Sequence, residues 1–301
     1  MTSPEAAPRI IYPRRDDPRW IQIACLTAFF AFYASFAPTF HRGPGQFAAS
    51  FAGCIGLDIV FLFLRRIPLV PLSGFMTALW TVILIDSTAL WVYALAGGLA
   101  ALSKHLIRVD KQHLCVPNNF GTVVTLLLFP GRAALTADPW EGSTAVLLAA
   151  ASIGLVAARK ANRMYVPVSF LATFIIGAMV RSLLRQAAVL HPLSSAAGPA
   201  FHLFTFFHLT DPKATPVSRK GQIVYGCAIG LVDALLRLAG AAPLPYLALF
   251  LVAFSLPVLR RRFDPKDIDR SWRLSYASMP RWLVALWNFH EPRDTERRKR
   301  R

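Results

Sequence analysis

Residues Gly198–Gly226 read GPAFHLFTFFHLTDPKATPVSRKGQIVYG, and the rest of the chain is arranged around them. An apolar, aromatic half-helix stops at Thr210-Asp211-Pro212. A short basic turn through Lys213, Thr215, Pro216, Arg219 and Lys220 follows, and an apolar helix begins again at Gly221. A dozen apolar residues cannot cross a bilayer upright, since a full span needs about 20. Half-helices with polar ends are tolerated in membrane proteins where protein covers them or where they line a cavity. The stretch is therefore a candidate site inside a polytopic membrane protein.

Composition agrees. The chain has 301 residues, of which 55% are hydrophobic and only 16% charged, against about a quarter charged in soluble domains. The net charge of +17 is compatible with nucleic-acid binding in principle. No recognition fold is visible, however, and the cations gather at the edges of apolar runs, so the partner is the lipid bilayer and not nucleic acid. The first nineteen residues are polar and broken by Pro, without a small-residue cleavage site after the first apolar run, so the first helix is read as retained. Cys25, Cys54, Cys115 and Cys227 lack CxxC spacing and read as unpaired thiols.

The apolar runs give an all-α fold with ten transmembrane helices: 20–37, 46–64, a short 72–85, 89–107, a short fifth ending at Pro130-Gly131, 143–158, 166–184, the half-helix above, 221–238 and 244–259. The domains are then a cytoplasmic segment 1–19, a transmembrane domain 20–259 and a basic cytoplasmic tail 260–301. Short cytoplasmic connections collect Lys and Arg. With the N-terminus inside, only Arg42, Arg132, Arg181, Arg185 and Arg237 of the 33 cations fall outside. That places both termini in the cytoplasm and the protein in the cell inner membrane. Within the tail, Trp282, Leu283, Leu286, Trp287 and Phe289 form an amphipathic segment ahead of a final charge run, suited to the inner interface. The third helix, ending ILIDS, and the eighth, ending HLTDP, are both short and stopped by Asp. Paired broken segments point to a midplane site between two inverted five-helix repeats.

Asp58, Asp86, Asp211 and Asp233 lie in or at the ends of apolar helices, where an unpaired charge costs at least ~2.5 kcal/mol. Asp86 and Asp211, at the two breaks, are the ion-pathway candidates, while Asp58 and Asp233 read as paired structural residues. His202 and His208 are six apart and do not share a helix face. His105 and His113 sit in a basic cluster with Lys104, Arg108 and Lys111. Arg181 and Arg185, four apart, share a face and either snorkel outward or meet a cofactor phosphate. No Walker loop, nucleophile elbow, HExxH or GxGxxG occurs, so catalytic residues and a metal site of the soluble type are not expected.

Three segments carry a resemblance: LSGFMTALW (72–80), SKHLIRVDKQHLCVPNNFGTVV (103–124) and FFHLTDPKATPVSRKGQIVYG (206–226). They resemble the NqrB/RnfD family, which comprises the B subunit of the sodium-pumping NADH:quinone oxidoreductase and the D subunit of the Rnf electron-transport complex. The resemblance implies a flavin-carrying subunit for transmembrane electron transport coupled to sodium or proton movement, with a fold similar to ammonium and urea channels. It is at most an electron-transfer subunit, with other membrane redox subunits or biosynthetic enzymes as partners. It also implies a flavin, FMN or riboflavin, near Lys104, His105, Asn118, Asn119, Thr210, Asp211, Lys213 and Thr215. Family members attach FMN through a Thr in an SGAT-like sequence. The nearest match here, 194–197, ends in Ala197, whose methyl group cannot form a phosphoester, so the flavin expected is non-covalent. That departure is similar to a divergent branch found in enediyne antibiotic biosynthesis clusters and in stand-alone homologues. A transporter or channel-like protein of the same fold without flavin is the alternative reading.

Overall fold

The computed structural model describes residues 19–36, 42–65, 71–109, 112–136, 144–186, 196, 198–211, 214–240 and 244–264. In chain order the helices are α1 (Arg19–Phe36), α2 (Pro44–Arg65), α3 (Pro71–Leu84), α4 (Leu90–Leu106), α5 (Pro117–Leu128), α6 (Thr144–Lys160) and α7 (Tyr165–Arg185). Then come α8 (Pro199–Leu203, continued in π register over Phe204–His208), α9 (Arg219–Leu238), α10 (Leu244–Ala253) and α11 (Leu256–Phe263). Three helical stretches, Pro44–Leu64, Tyr165–Arg185 and Arg219–Leu238, are long and apolar enough by themselves to cross a bilayer. Expectations for Lys213, Ala197 and the tail beyond residue 264 fall outside the described residues.

Two helix pairs form the frame, and in each the partners run parallel. Gly45 of α2 faces Leu90 of α4, Gly53 faces Ala94 and Gly98, and Asp58 reaches Lys104 and His105 further along both. In the second pair, Gly226 faces Val166 and Ser169, Gly230 faces Thr173, and Ala234 faces Gly177. Glycine decides how near the backbones come: a Cβ on Gly97 would collide with the Ser50 carbonyl, and one on Gly226 with the Val166 carbonyl. Small residues of this kind supply the van der Waals packing that holds helices together where lipid gives no hydrophobic drive. Between the members of each pair the chain makes one short helix, α3 in the first and α8 in the second.

The breaks are hydrogen-bonded rather than open. After α3 the chain enters a two-residue strand, Ile85–Asp86, which pairs antiparallel with Ala134–Leu135. Ser87 Oγ donates to the Arg132 carbonyl (2.7 Å) and accepts from the Ala89 amide (3.1 Å), while the Tyr93 hydroxyl donates to the Ser87 carbonyl (3.1 Å). These contacts satisfy backbone groups that the helix end leaves over. The connector from α4 to α5 closes in the same way, Arg108–Val109 pairing with Gln112–His113.

Two of the departures from the expected boundaries have a visible physical cause. α9 begins at Arg219, two residues before Gly221, because Ser218 caps it by accepting from the Gly221 amide at 3.1 Å. The expected last span, 244–259, is two segments, α10 and α11, separated at Phe254-Ser255. Pro257 has no amide hydrogen to continue the ladder, and Ser255 Oγ turns back to the Val252 carbonyl at 2.7 Å.

Candidate functional site

Pro117 opens α5, and the next turns carry a polar face through an otherwise apolar interior. Asn118, Thr122 and Thr125, spaced four and three apart, lie on one face; Asn119 sits beside them. All four are buried. Asn119 Nδ2 donates to the Tyr246 carbonyl of α10 at 3.0 Å. The Oδ1 atoms of both asparagines and the hydroxyls of Thr122 and Thr125 have no hydrogen-bond partner among the described residues.

The π-register segment of α8 supplies a second set. The switch is sealed by the Leu209 amide, which donates to the Phe204 carbonyl at 3.1 Å, and such π segments concentrate at functional positions. It turns His208 inward against Trp80 (ring centres 4.2 Å apart, edge-on), Tyr246 (5.5 Å, edge-on) and Phe204 (6.1 Å, stacked). Neither His208 nitrogen is hydrogen-bonded among the described residues. An apolar pocket of about 50 Å³ lies alongside, lined by Trp80, Leu84, Leu203 and Tyr246 among others.

Tyr225 of α9 is a further buried polar side chain. It is fully buried, its hydroxyl has no hydrogen-bond partner among the described residues, and Cys115, Asp211 and Arg260 are the charged or ionisable groups near it. The turn after α8 is itself tied down: Thr215 Oγ1 donates to the Asp211 carbonyl (2.8 Å) and accepts from Arg163 Nε (2.9 Å). Thr210 donates to the Phe206 carbonyl one turn back. Burial pushes the Cys115 thiol, in the α4–α5 connector, up to about 12.

Lys104 and His105 hold a different post. Lys104 Nζ lies 2.7 Å from Asp58 Oδ2, and His105 Nε2 lies 2.6 Å from Asp58 Oδ1, with the Phe61 ring stacked on the imidazole at 4.5 Å. These two expected flavin neighbours thus close the α2/α4 interface. Asp58 and Asp233 are paired, as expected: Asp233 Oδ2 accepts from Arg237 Nε at 2.7 Å. Asp86 stands in strand β1 (Ile85–Asp86) with its side chain 56% exposed and faces Arg42 at 3.4 Å. The expected site residues therefore fall into four groups: Asn118 and Asn119 in the interior, Asp211 with Thr215 at the turn and Thr210 just before it, Lys104 with His105 on Asp58, and Asp86 on Arg42.

Thr122, Thr125 and Tyr225 were not singled out from sequence. The threonines were legible, since polar residues at i+4 and i+7 from Asn118 mark one helix face. Tyr225 was not, because an aromatic ring in an apolar helix reads as packing. No group of three or more His, Cys, Asp or Glu suited to a metal occurs among the described residues.

Comparison with known proteins bears on the second half of the chain. Residues 131–269, from the end of the α5 region through α11, match the NQR2, RnfD, RnfE family. The D subunit of the ion-translocating oxidoreductase complex of Cronobacter sakazakii is 36% identical over 86 residues, 29% of this chain and 25% of that protein. The corresponding proteins of Erwinia tasmaniensis and Escherichia coli K12 are 35% and 33% identical over 81 and 85 residues, 27% and 28% of this chain, and 23% and 24% of theirs. The aligned stretch thus spans about a quarter of these relatives' length. Three membrane-competent helices and this match make the chain a membrane protein whose residues 131–269 are similar to the NQR2, RnfD, RnfE family.

Proposed function

We propose that the protein is the flavin-holding membrane subunit of a redox-driven, ion-translocating oxidoreductase. One observation carries the reading: fully buried polar groups on α5, α8 and α9 lack hydrogen-bond partners around an interior that the family's electron-transfer role would fill with a cofactor. Each such group costs about 1–3 kcal/mol when left unmade, so a polar, planar ligand that satisfies several at once is strongly favoured. The amide groups of Asn118 and Asn119 present acceptors and donors suited to the alternating donors and acceptors of an isoalloxazine edge, and Tyr225 and Thr122 add hydroxyls. Thr210, Asp211 and Thr215 would border the site at the turn, with Lys213 between them in sequence. Bound flavin supplies reversible electron transfer, while the protein positions it and excludes water.

FMN or riboflavin is held without a covalent bond, since Ala197 offers no hydroxyl. Asp86 and Asp211 mark the ion route at the two breaks. The parallel pairs α2/α4 and α7/α9, each enclosing a short helix, support two five-helix halves of inverted orientation. Both termini lie on the cytoplasmic side of the cell inner membrane, and other membrane redox subunits are the partners. The protein belongs to the divergent branch that stands alone or accompanies biosynthetic enzymes.

Purification in mild detergent tests the reading directly. Visible flavin absorbance is expected in the folded protein, with the chromophore released on denaturation and the yield reduced in Asn118→Leu. Flavin absent from both the folded and the denatured protein removes the redox reading and leaves a flavin-free transporter of the same fold. Flavin retained by the chain after denaturation refutes the non-covalent assignment.

A further inference from the structure

At the ends of α7 and α9 remote from Arg163 and Thr215, the Arg181 and Arg237 guanidinium groups approach one carboxylate, with Arg185 nearby. Arg181, one turn before the end of α7, is 4% exposed, and neither of its Nη atoms has a hydrogen-bond partner among the described residues. Asp233 is fully buried; its Oδ2 is taken by Arg237 Nε at 2.7 Å, and its Oδ1 is unpartnered. The guanidinium carbons of Arg181 and Arg237 lie 5.9 Å and 5.2 Å from the centre of the same Phe174 ring. Arg185 is engaged elsewhere, since its Nη2 donates to the carbonyls of Arg237 and Leu238, both at 3.3 Å, and closes the end of α9.

Arg181 is thus buried beside a carboxylate that Arg237 already engages. A guanidinium presents a rigid fork of donors that fits two oxygens of a phosphate or carboxylate. Arg181 has both arms of that fork unused among the described residues, beside a carboxylate whose other oxygen Arg237 already holds. Gly177 lets α7 and α9 meet closely beside it: a Cβ there would lie 3.6 Å from Arg181 Nη1 and 2.8 Å from Ala234 Cβ. Arg181 stands four residues from the end of α7, about 6 Å along the axis, close enough to the helix end for a long cationic side chain to meet an interfacial group.

We propose that Arg181, with Asp233 and Arg237 behind it, forms a binding site for a hydroxyl-bearing phosphate ester at the α7/α9 end. The phosphate oxygens accept from Arg181 Nη1 and Nη2, and a hydroxyl of the same ligand donates to Asp233 Oδ1. That assignment uses all three unpartnered atoms at once. A glycerol-type phospholipid headgroup has this chemistry, and so does its free form, glycerol phosphate. The site is independent of the flavin reading, since it lies on other residues and requires no redox cofactor.

The test uses the full chain in neutral detergent, with thermal stability and native mass spectrometry as readouts. The probes are phosphatidylglycerol, phosphatidylcholine and glycerol 3-phosphate. Phosphatidylglycerol is expected to stay bound and to stabilise the wild type, with phosphatidylcholine weaker. Arg181→Gln is expected to bind about tenfold or more weakly, the effect of losing charge-assisted hydrogen bonds. Arg181→Lys, which keeps the charge and the fold but loses the fork, falls between. Asp233→Asn removes the one opposing charge, retains an acceptor, and is expected to bind at least as tightly as wild type. Stabilisation by glycerol 3-phosphate as well supports a free phosphate ester as ligand; stabilisation by the lipid alone supports a headgroup. No response of the wild type to either probe overturns the proposal, as does an equal response in Arg181→Gln. A loss in Asp233→Asn as large as that in Arg181→Gln also overturns it, by showing that the two side chains serve only each other.

Discussion

Removing Asp58 tests the frame of the first half. Its carboxylate is 4% exposed, with Lys104 Nζ at 2.7 Å and His105 Nε2 at 2.6 Å, and the two partners are themselves 15% and 7% exposed. Deleting one member of a buried pair costs about 3–5 kcal/mol, because the partner charge stays behind without compensation. Lys104 lies in the last turn of α4, and a lysine there relieves part of the penalty by snorkelling toward the interface. Asp58→Asn is therefore expected at the lower end, about 3 kcal/mol. Lys104→Met is expected to cost less, because His105 remains to hold the carboxylate. In the double variant Asp58→Leu/Lys104→Met both charges are gone, and stability is expected to return to within about 1 kcal/mol of wild type, as for buried pairs replaced by apolar residues. The measurement is unfolding of the purified protein by SDS titration, followed by helical circular dichroism, for wild type, Asp58→Leu, Lys104→Met and the double variant, which close a double-mutant cycle. Single-variant losses that simply add, with a coupling below about 0.5 kcal/mol, would refute the pairing as a source of stability.

Four further outcomes follow from the geometry. Gly97→Val drives a side chain into the Ser50 carbonyl and is expected to destabilise by about 1–3 kcal/mol or more, measured by the same titration; wild-type stability would mean that α2 and α4 do not meet there. His208→Phe keeps the edge-on contact with Trp80 but removes two unpartnered nitrogens, so flavin-free protein is expected to be as stable as wild type or more so; a loss of stability would show that the imidazole has a partner. Asp264→Ala frees the amides of Val217 and Ser218, which donate to it at 2.7 Å and 2.8 Å. A loss of about 1–3 kcal/mol and faster proteolysis near residue 217 are expected, and unchanged proteolysis would refute that tie. Cys115, with its thiol pushed up to about 12, is expected to resist maleimide at neutral pH until the protein is denatured, because the thiolate is the reactive form; mass-spectrometric labelling reads it.

The breaks were legible because charge and proline interrupt an apolar run, and both reappear: α3 ends at Leu84 just before Asp86, and α8 ends at His208 just before Asp211. Their chemical setting was not legible. Arg42 meets Asp86 from 44 positions away and Arg163 meets Thr215 from 52, through packing that no local pattern encodes. The π register of α8 was equally hidden, since Phe204–His208 has the composition of any aromatic helix. Lys104 and His105 read as neighbours of Asn118 in sequence, yet α2 supplies the carboxylate that claims them. The parallel pairing of α2 with α4, and of α7 with α9, could be read only as a count of alternating spans.

The two halves solve one electrostatic problem differently. In each, a buried Asp near the end of a long helix meets cations at the close of a parallel pair: Asp58 in the first, Asp233 in the second. The first cluster answers one carboxylate with an ammonium and an imidazole, and a neutral histidine leaves the count balanced. Asp58 then uses both its oxygens, one for each partner. The second sets permanently charged guanidinium groups around its carboxylate, leaving one oxygen of Asp233 and both arms of Arg181 unused. A balanced cluster whose two carboxylate oxygens are both bonded stabilises the interface it sits in. An unbalanced one with unused donors destabilises the empty protein by about 1–3 kcal/mol per group, and a ligand that supplies the missing partners recovers that free energy on binding. Arg181 is for this reason the position where structure and ligand affinity are most tightly coupled, and the comparison of Arg181→Lys with Asp58→Asn separates the two: only the former is expected to change phosphate-ester binding while leaving the fold in place.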